Sequence, residues 1–321
     1  MLTDVLQRRL VFVTGKGGVG KTAVTLALAI AAARERRRVL VVEINPYGRV
    51  AEYLGGVTLG PEPIEVAAGV SAACIVPEIV LEEFAVRVLR IRALARRLLA
   101  SQTFRVVAAA APGVEDFLTL DRIAHWEAAR TGLRQRRSRF DLILVDAPAT
   151  GHSVPLLATP GTFLKMLPFG PLSGTARELT LLLSDPEKTA IAIVTRAEEM
   201  AVNETLELAA VLMRLGIPLL SPIVNAVSPL RFTRAETRRL LADPADVPPS
   251  LRAHLALGRF GAARQRTAER EIRRLGRTLA TSSMCLPLVP ARRFGLAALE
   301  QLADELVRPR DGGRQRAGAL G

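Results

Sequence analysis

Apolar residues in this chain follow two rhythms. Predominantly apolar runs occupy 10–14, 39–44, 140–145, 189–194 and 217–224. Between them, apolar residues recur at helical spacing over 23–31, 77–111, 113–130, 156–183, 202–215 and 296–307. Short, mostly apolar runs read as strands buried on both faces, and their alternation with helical stretches points to a parallel sheet. Weaker strands are expected at 71–76 and 285–289. The stretch 229–279 reads as helical and charged, interrupted at Pro244 and Pro248-Pro249. No internal repeat is present. The expected organisation is one α/β domain over 1–308, with helical insertions around 77–135 and 229–280. The Gly- and Arg-rich stretch 309–321 is expected to be disordered.

Composition narrows the class. With 321 residues and 49% hydrophobic content the chain can bury a large core. No apolar stretch reaches the roughly 20 residues of a bilayer span. The first residues lack the apolar region of a secretory signal, so a cytoplasmic location is expected. Cys74 and Cys285 lie far apart, which argues against a disulfide framework or zinc site. Both are expected as small buried strand residues.

The net charge of +13 raises the question of a polyanionic partner. Arginines cluster around 34–38, 134–139 and 264–277, but aromatics make up 4% of the chain. Stacking platforms for single strands are therefore missing. Solvated helix faces explain the arginines better than a nucleic-acid surface does.

The chemistry starts after the first strand. Gly15-Lys16-Gly17-Gly18-Val19-Gly20-Lys21-Thr22 follows the apolar run and precedes a helical stretch. That is the context a phosphate-binding loop requires: glycines let several amides point inward, and the helix start adds its positive dipole end. Lys21 is expected on the β- and γ-phosphates and Thr22 on Mg²⁺. A solvated Gly-rich turn does not explain why two of the four lysines (Lys16, Lys21, Lys165, Lys188) fall in one loop. The run 140–145 ends in Asp146, where an aspartate can face the magnesium shell. Residues 147–152, with Pro148 and Gly151, are expected to form a loop able to respond to loss of a γ-phosphate.

The second lysine in the loop, Lys16, together with D-A-P-A-T-G-H at 146–152, resembles the deviant Walker-A ATPases. Within them the chain is similar to the arsenite-pump (ArsA) and tail-anchored-protein-targeting ATPases, which carry D-T-A-P-T-G-H at that point. Further likeness lies at Ala111-Pro112-Gly113-Val114-Glu115-Asp116, at 194–200, at 202–205, at Pro222-Ile223-Val224-Asn225 and at Pro287-Leu288-Val289-Pro290. The resemblance implies a doubly wound, mainly parallel sheet of the P-loop NTPase type (SIMIBI class) with a helical subdomain. It also implies a dimer with ATP and Mg²⁺ at the interface. Lys16 then reaches the partner's nucleotide, Asp146 holds the metal's water shell, Asn225 reads adenine, and Pro287 and Pro290 line the base. The competing reading of Asn225 is a turn residue after a strand.

Two departures matter. The family has D-P-A-H after the second strand, and its aspartate orients the attacking water. This chain has Glu43-Ile44-Asn45-Pro46-Tyr47-Gly48. An amide takes no proton, so a base worth roughly 10²–10⁴ in rate is missing. Asn45 positions water weakly, or Glu43 substitutes, or the subunit binds ATP without hydrolysis beside an active paralogue. Slow or absent turnover by this subunit alone is the favoured expectation. Ala23 also replaces a common hydroxyl residue.

Two cysteines cannot form the thiolate cluster of the metalloid pumps. The apolar group Phe163, Leu164, Met166, Leu167 and Phe169 reads either as a client surface or as ordinary packing, with packing favoured. Client, membrane partner and the choice between homodimer and heterodimer stay open. The alternatives are a non-hydrolysing regulatory subunit and, further off, a DNA- or membrane-associated partitioning ATPase.

Overall fold

In the computed structural model, the described residues are 2–44, 49–89, 97, 100–101, 112–131, 137–229, 231–242, 248–292 and 294–308. A short helix α1 (Leu2–Leu6) precedes β1 (Leu10–Gly15) and α2 (Lys21–Arg34). Next come β2 (Val39–Glu43), α3 (Arg49–Tyr53), β3 (Ile64–Ala67) and β4 (Val70–Cys74). Helices α4 (Pro77–Leu89) and α5 (Val114–Ala128) lead to a small hairpin of β5 (Arg130–Thr131) and β6 (Arg137–Ser138). Strand β7 (Leu142–Ala149) runs into α6 (Thr150–Met166), α7 (Pro171–Ser184) and β8 (Thr189–Arg196). The chain ends in α8 (Glu199–Arg214), β9 (Ile223–Val227), α9 (Arg234–Leu241), α10 (Pro249–Thr278), β10 (Met284–Pro287) and α11 (Leu296–Val307).

The main sheet has eight strands in the order β10-β9-β8-β1-β7-β2-β4-β3. Strand β3 is antiparallel to β4, and the other neighbouring pairs are parallel. Chain order reverses on either side of β1, as in a doubly wound P-loop NTPase fold. Ligands in such sheets bind at the carboxyl ends of the strands, next to that reversal.

Strict alternation sorts the central strands into two layers. Val11, Val13, Val39, Val41, Leu142, Leu144, Ala190 and Ala192 pack with α2 and α11. Leu10, Phe12, Leu40, Val42, Ile143, Val145, Ile191 and Ile193 pack with α4 to α8 on the other face. Helix α2 is buried nearly all round from Thr22 to Ala32, because α11 (Leu299, Leu302, Ala303) covers its back. This explains why its sequence is apolar throughout rather than striped.

The strand and helix expectations hold for most elements, with corrections. The strand expected over 217–224 begins at Ile223; Pro218 and Pro222 interrupt the ladder, leaving an isolated bridge between Leu219 and Ile191. The loop expected at 147–152 does not form. Strand β7 continues through Pro148 to Ala149, and Thr150 opens α6 directly, with Gly151 and His152 in its first turn. The helical stretch 156–183 is two helices, separated at residues 167–170 where Gly170 takes a φ of 101°. Strand β3 and the β5–β6 hairpin had no expectation. Cys74 is buried in β4, whereas Cys285 in β10 is half-buried. Among the described residues, no helix is long and apolar enough to cross a membrane.

Candidate functional site

The carboxyl ends of β9, β1, β7 and β2 bring the candidate residues to one edge of the sheet. Strand β1 ends at Gly15, whose φ is 144°. A Cβ there would stand 2.0 Å from the carbonyl oxygen of Val194, so β1 approaches β8 too closely for any side chain. At the other end of the loop, Gly20 takes a φ of 90° and caps α2 in the left-handed region. Its Cβ would lie 2.4 Å from Asn225 Nδ2. Asn225 is 8% exposed, and its Nδ2 donates to the Val19 carbonyl at 2.9 Å. The next residue, Ala226, has a φ of 53°, an uncommon conformation for alanine, and lies in β9 where the register with β10 shifts. Asn225 therefore braces the loop rather than merely ending a strand.

Asp146 lies on the same face of β7 as Leu142 and Leu144, which turns its carboxylate toward α2. The Thr22 hydroxyl donates to Asp146 Oδ2 at 2.6 Å, and the Thr25 hydroxyl donates to Oδ1 at 3.3 Å. Burial pushes the Asp146 carboxyl upward, against the hydrogen bonds from Thr22 and the charge of Lys21. Lys21 Nζ donates to the Lys16 carbonyl at 3.3 Å. Burial pushes its pKa down, Asp146 opposes this, and Arg49 adds to the fall.

Lys16 is turned toward α8, where its Nζ lies 2.5 Å from Glu204 Oε1. Strand β2 contributes Glu43, the register partner of Asp146. Glu43 Oε1 accepts the amides of Arg49 at 2.9 Å and Val50 at 3.3 Å, capping α3. Burial raises the Glu43 pKa, and those amides lower it in part. Asn45 lies outside the described residues. Pro287 pairs in register with Val227 at the end of β10, and Pro290 is exposed beyond it, so both lie on the Asn225 side.

The arrangement fits a magnesium-bound triphosphate. Positions Gly17 and Gly18 face open space, with no atom within 4 Å of where a Cβ would be. Lys21 carries a charge that meets a backbone carbonyl and no carboxylate within ion-pair distance among the described residues. The Thr150 hydroxyl oxygen is buried beside this edge and has no hydrogen-bond partner among the described residues. A hydroxyl and a carboxylate 2.6 Å apart, Thr22 and Asp146, form the hard oxygen donor set that Mg²⁺ favours. Three residues of this edge escaped sequence reasoning: Glu204, Arg49 and Thr150. Thr150 was visible inside the D-A-P-A-T-G-H segment and Glu204 inside the 202–205 likeness, neither with a role assigned; Arg49 carried no local signal.

The apolar group at the end of α6 and just beyond it divides. Phe163 stacks on Phe117 with centroids 4.6 Å apart, and Leu164 packs on the same core. Met166 and Phe169 are 72% and 88% exposed. Ordinary packing accounts for the first pair and not for the second.

Comparison with known proteins agrees with the geometry. Residues 8–179 and 171–238 match the model of the anion-transporting ATPases, ArsA_ATPase. The chain is 29% identical to an arsenical pump-driving ATPase of Escherichia coli over 238 residues, which are 68% of this chain and 39% of that protein. It is 28% identical to the ATPase BagA of Mycobacterium tuberculosis (strain ATCC 25618 / H37Rv) over 255 residues, covering 77% of this chain and 73% of the relative. The match thus spans about two fifths of the length of the Escherichia coli pump-driving ATPase. With the family match covering more than half of its residues, on a P-loop fold with the loop in its required place, the chain belongs to the ArsA family of anion-transporting ATPases.

Proposed function

We propose that this chain is a cytoplasmic Mg-ATP-binding ATPase that works as a dimer and couples its nucleotide state to the binding of another protein. The observation that carries this is the pairing of Thr22 with Asp146 at 2.6 Å beside a Lys21 that has no carboxylate within ion-pair distance among the described residues. Amides of 15–22 and Lys21 hold the phosphates. Asn225 bonds the base from the β9 side, flanked by Pro287 and Pro290. Thr22 and Asp146 hold magnesium, which when bound supplies positive charge to the phosphate oxygens. Lys16 leaves Glu204 and serves the nucleotide of a second subunit, identical or paralogous, as charge develops in the transfer of a phosphoryl group to water.

A second reading has support of its own: a subunit that binds ATP and turns it over slowly or not at all. Asn45 stands where a base is needed, and Glu43 Oε1 is already engaged by two amides of α3. An active paralogue would then supply the chemistry in a heterodimer.

Both readings are tested by measuring Mg-ATP affinity and phosphate release for the wild type, Lys21→Ala and Asn45→Asp. Binding lost in Lys21→Ala supports the site. A large gain in turnover in Asn45→Asp supports the disabled base. Wild-type protein without affinity for adenine nucleotides overturns both.

A further inference from the structure

Two cations converge on the cradle, and the loop motif explains one of them. Lys21 belongs to the loop. Arg49 opens α3, beyond the end of β2. Its amide donates to Glu43 Oε1 at 2.9 Å, and Glu43 is the register partner of Asp146, so Arg49 starts beside the Asp146 end of the cradle, where its charge also acts on Lys21 and Tyr53. Among the described residues, no carboxylate forms an ion pair with it. The first amides of α3 are unavailable to a ligand, because Glu43 accepts those of Arg49 and Val50. What this segment offers an anion is the guanidinium itself.

The order of the strands says which part of a nucleotide it meets. Along the carboxyl edge the sequence is β9, β8, β1, β7, β2. Asn225 on β9 marks one end, the glycine loop after β1 the middle, and Asp146 on β7 the far side. Arg49 follows β2 and is farthest along this edge from Asn225. A nucleotide with its base toward β9 and its phosphates over the loop directs its terminal phosphate toward β7 and β2. The space over Gly17 and Gly18 is open, and the Thr150 hydroxyl, just past the end of β7, has no hydrogen-bond partner among the described residues. Lys21 and Arg49 repel each other, and Asp146, which attracts both, offsets part of that repulsion. A phosphate oxygen pair suits the planar fork of a guanidinium.

We infer that Arg49 is an in-chain cation for the terminal phosphate of a bound nucleoside triphosphate, the residue by which this site distinguishes ATP from ADP. This rests on the ATP-binding reading of the same site. Arg49 acts on ligand affinity and selectivity, independently of whether the subunit hydrolyses ATP.

The test is calorimetric titration of the full chain with the non-hydrolysable analogue AMP-PNP and with ADP, each with Mg²⁺, on the wild type, Arg49→Ala and Arg49→Lys. Loss of one charge-assisted contact predicts roughly tenfold to hundredfold weaker AMP-PNP binding in Arg49→Ala, with ADP changed by less than about threefold. Arg49→Lys is expected to recover part of the loss, because it restores the charge without the fork. Equal weakening of both ligands, or no change in either, overturns the role of Arg49 while leaving the nucleotide site intact. A wild-type chain that binds neither ligand overturns the ATP-binding reading and this inference with it. Thermal unfolding of each variant is followed in parallel. A fall in melting temperature accompanied by equal losses for both ligands also counts against the proposal.

Discussion

Lys16 Nζ and Glu204 Oε1 stand 2.5 Å apart, joining the loop after β1 to the second turn of α8. Both side chains are about one-third exposed, and an ion pair in that setting is worth about 0.2–1 kcal/mol. Lys16 is thus held in its own chain by a weak bond, one that a stronger anion in a second subunit can replace. Glu204→Gln is expected to tighten Mg-ATP-dependent dimerisation by roughly 1.5- to 5-fold per site. Lys16→Ala is expected to abolish the nucleotide dependence. Sedimentation with and without Mg-ATP checks both. A weaker dimer in Glu204→Gln would make Glu204 an interface contact rather than a cis partner of Lys16.

Gly20 and Asn225 are coupled through contact. A methyl group on Gly20 meets Asn225 Nδ2 at 2.4 Å, and the φ of 90° is itself strained for alanine. Gly20→Ala is expected to destabilise the fold by about 1–3 kcal/mol and to weaken ATP at least tenfold. Adding Asn225→Ala removes the clash and leaves the backbone strain. The double variant should therefore recover part of the stability and none of the base recognition. A double-mutant cycle by urea unfolding measures the coupling, and strict additivity would show that the two residues do not touch.

The contiguous part of this site was legible in the sequence. Gly15 to Thr22 lie in one run between a strand and a helix, and Asp146 ends a strand, so local pattern sufficed. Asn225 was placed on the site by resemblance alone, and its bond to Val19 could not be foreseen across so many intervening residues. Glu204 and Arg49 look like ordinary charged helix residues, and topology alone brings them to the loop. The expected loop at 147–152 failed because Pro148 and Gly151 were read as breakers. Proline fits the end of a strand whose ladder is finishing, and glycine is tolerated in a first helical turn whose amides lack partners anyway. The strand expected over 217–224 failed from the opposite error, since two prolines were discounted inside an apolar run.

Arg38 and Asp141 tie the start of β2 to the start of β7. Asp141 Oδ2 accepts the Arg38 amide and Nε, each at 3.0 Å, and Oδ1 accepts Nη2 at 2.8 Å. The side-chain hydrogen bond from Arg38 holds the Asp141 carboxyl below its ordinary range. A depressed folded pKa gives stability that is present above the unfolded value and lost as pH falls through the folded one. With the arginine partly exposed, the contribution is discounted to about 0.5–1.5 kcal/mol. Asp141→Asn should lose that much at pH 7 and nothing at the acid end of the transition. Equal destabilisation at both pH values would assign the loss to packing instead of charge.

Asp146 has the opposite sign. Burial raises its folded pKa above the ordinary carboxylate value, outweighing the hydrogen bonds from Thr22 and the charge of Lys21. A raised folded pKa means stability that is complete below the unfolded value and lost as pH rises through the folded one. Ionising Asp146 in the ligand-free chain therefore costs stability, although the ionised form is the one a metal needs. Asp146→Asn removes that charge with little change of shape, and its carboxamide can still accept from Thr22 or Thr25. The variant is expected to melt about 2–4 °C higher than the wild type at pH 7 without ligand, the shift corresponding to roughly 1 kcal/mol. Its melting temperature should also depend less on pH between 4 and 7, with Glu43, Asp116 and Asp121, raised by burial as well, contributing to the dependence that remains. Adding Mg-ATP should raise the wild-type melting temperature above its own ligand-free value and leave the variant unmoved. Chelating the metal should return the wild type to its ligand-free behaviour. A ligand-free Asp146→Asn variant less stable than the wild type at pH 7 would show that the carboxylate, even buried, is held by its two threonines at a net gain.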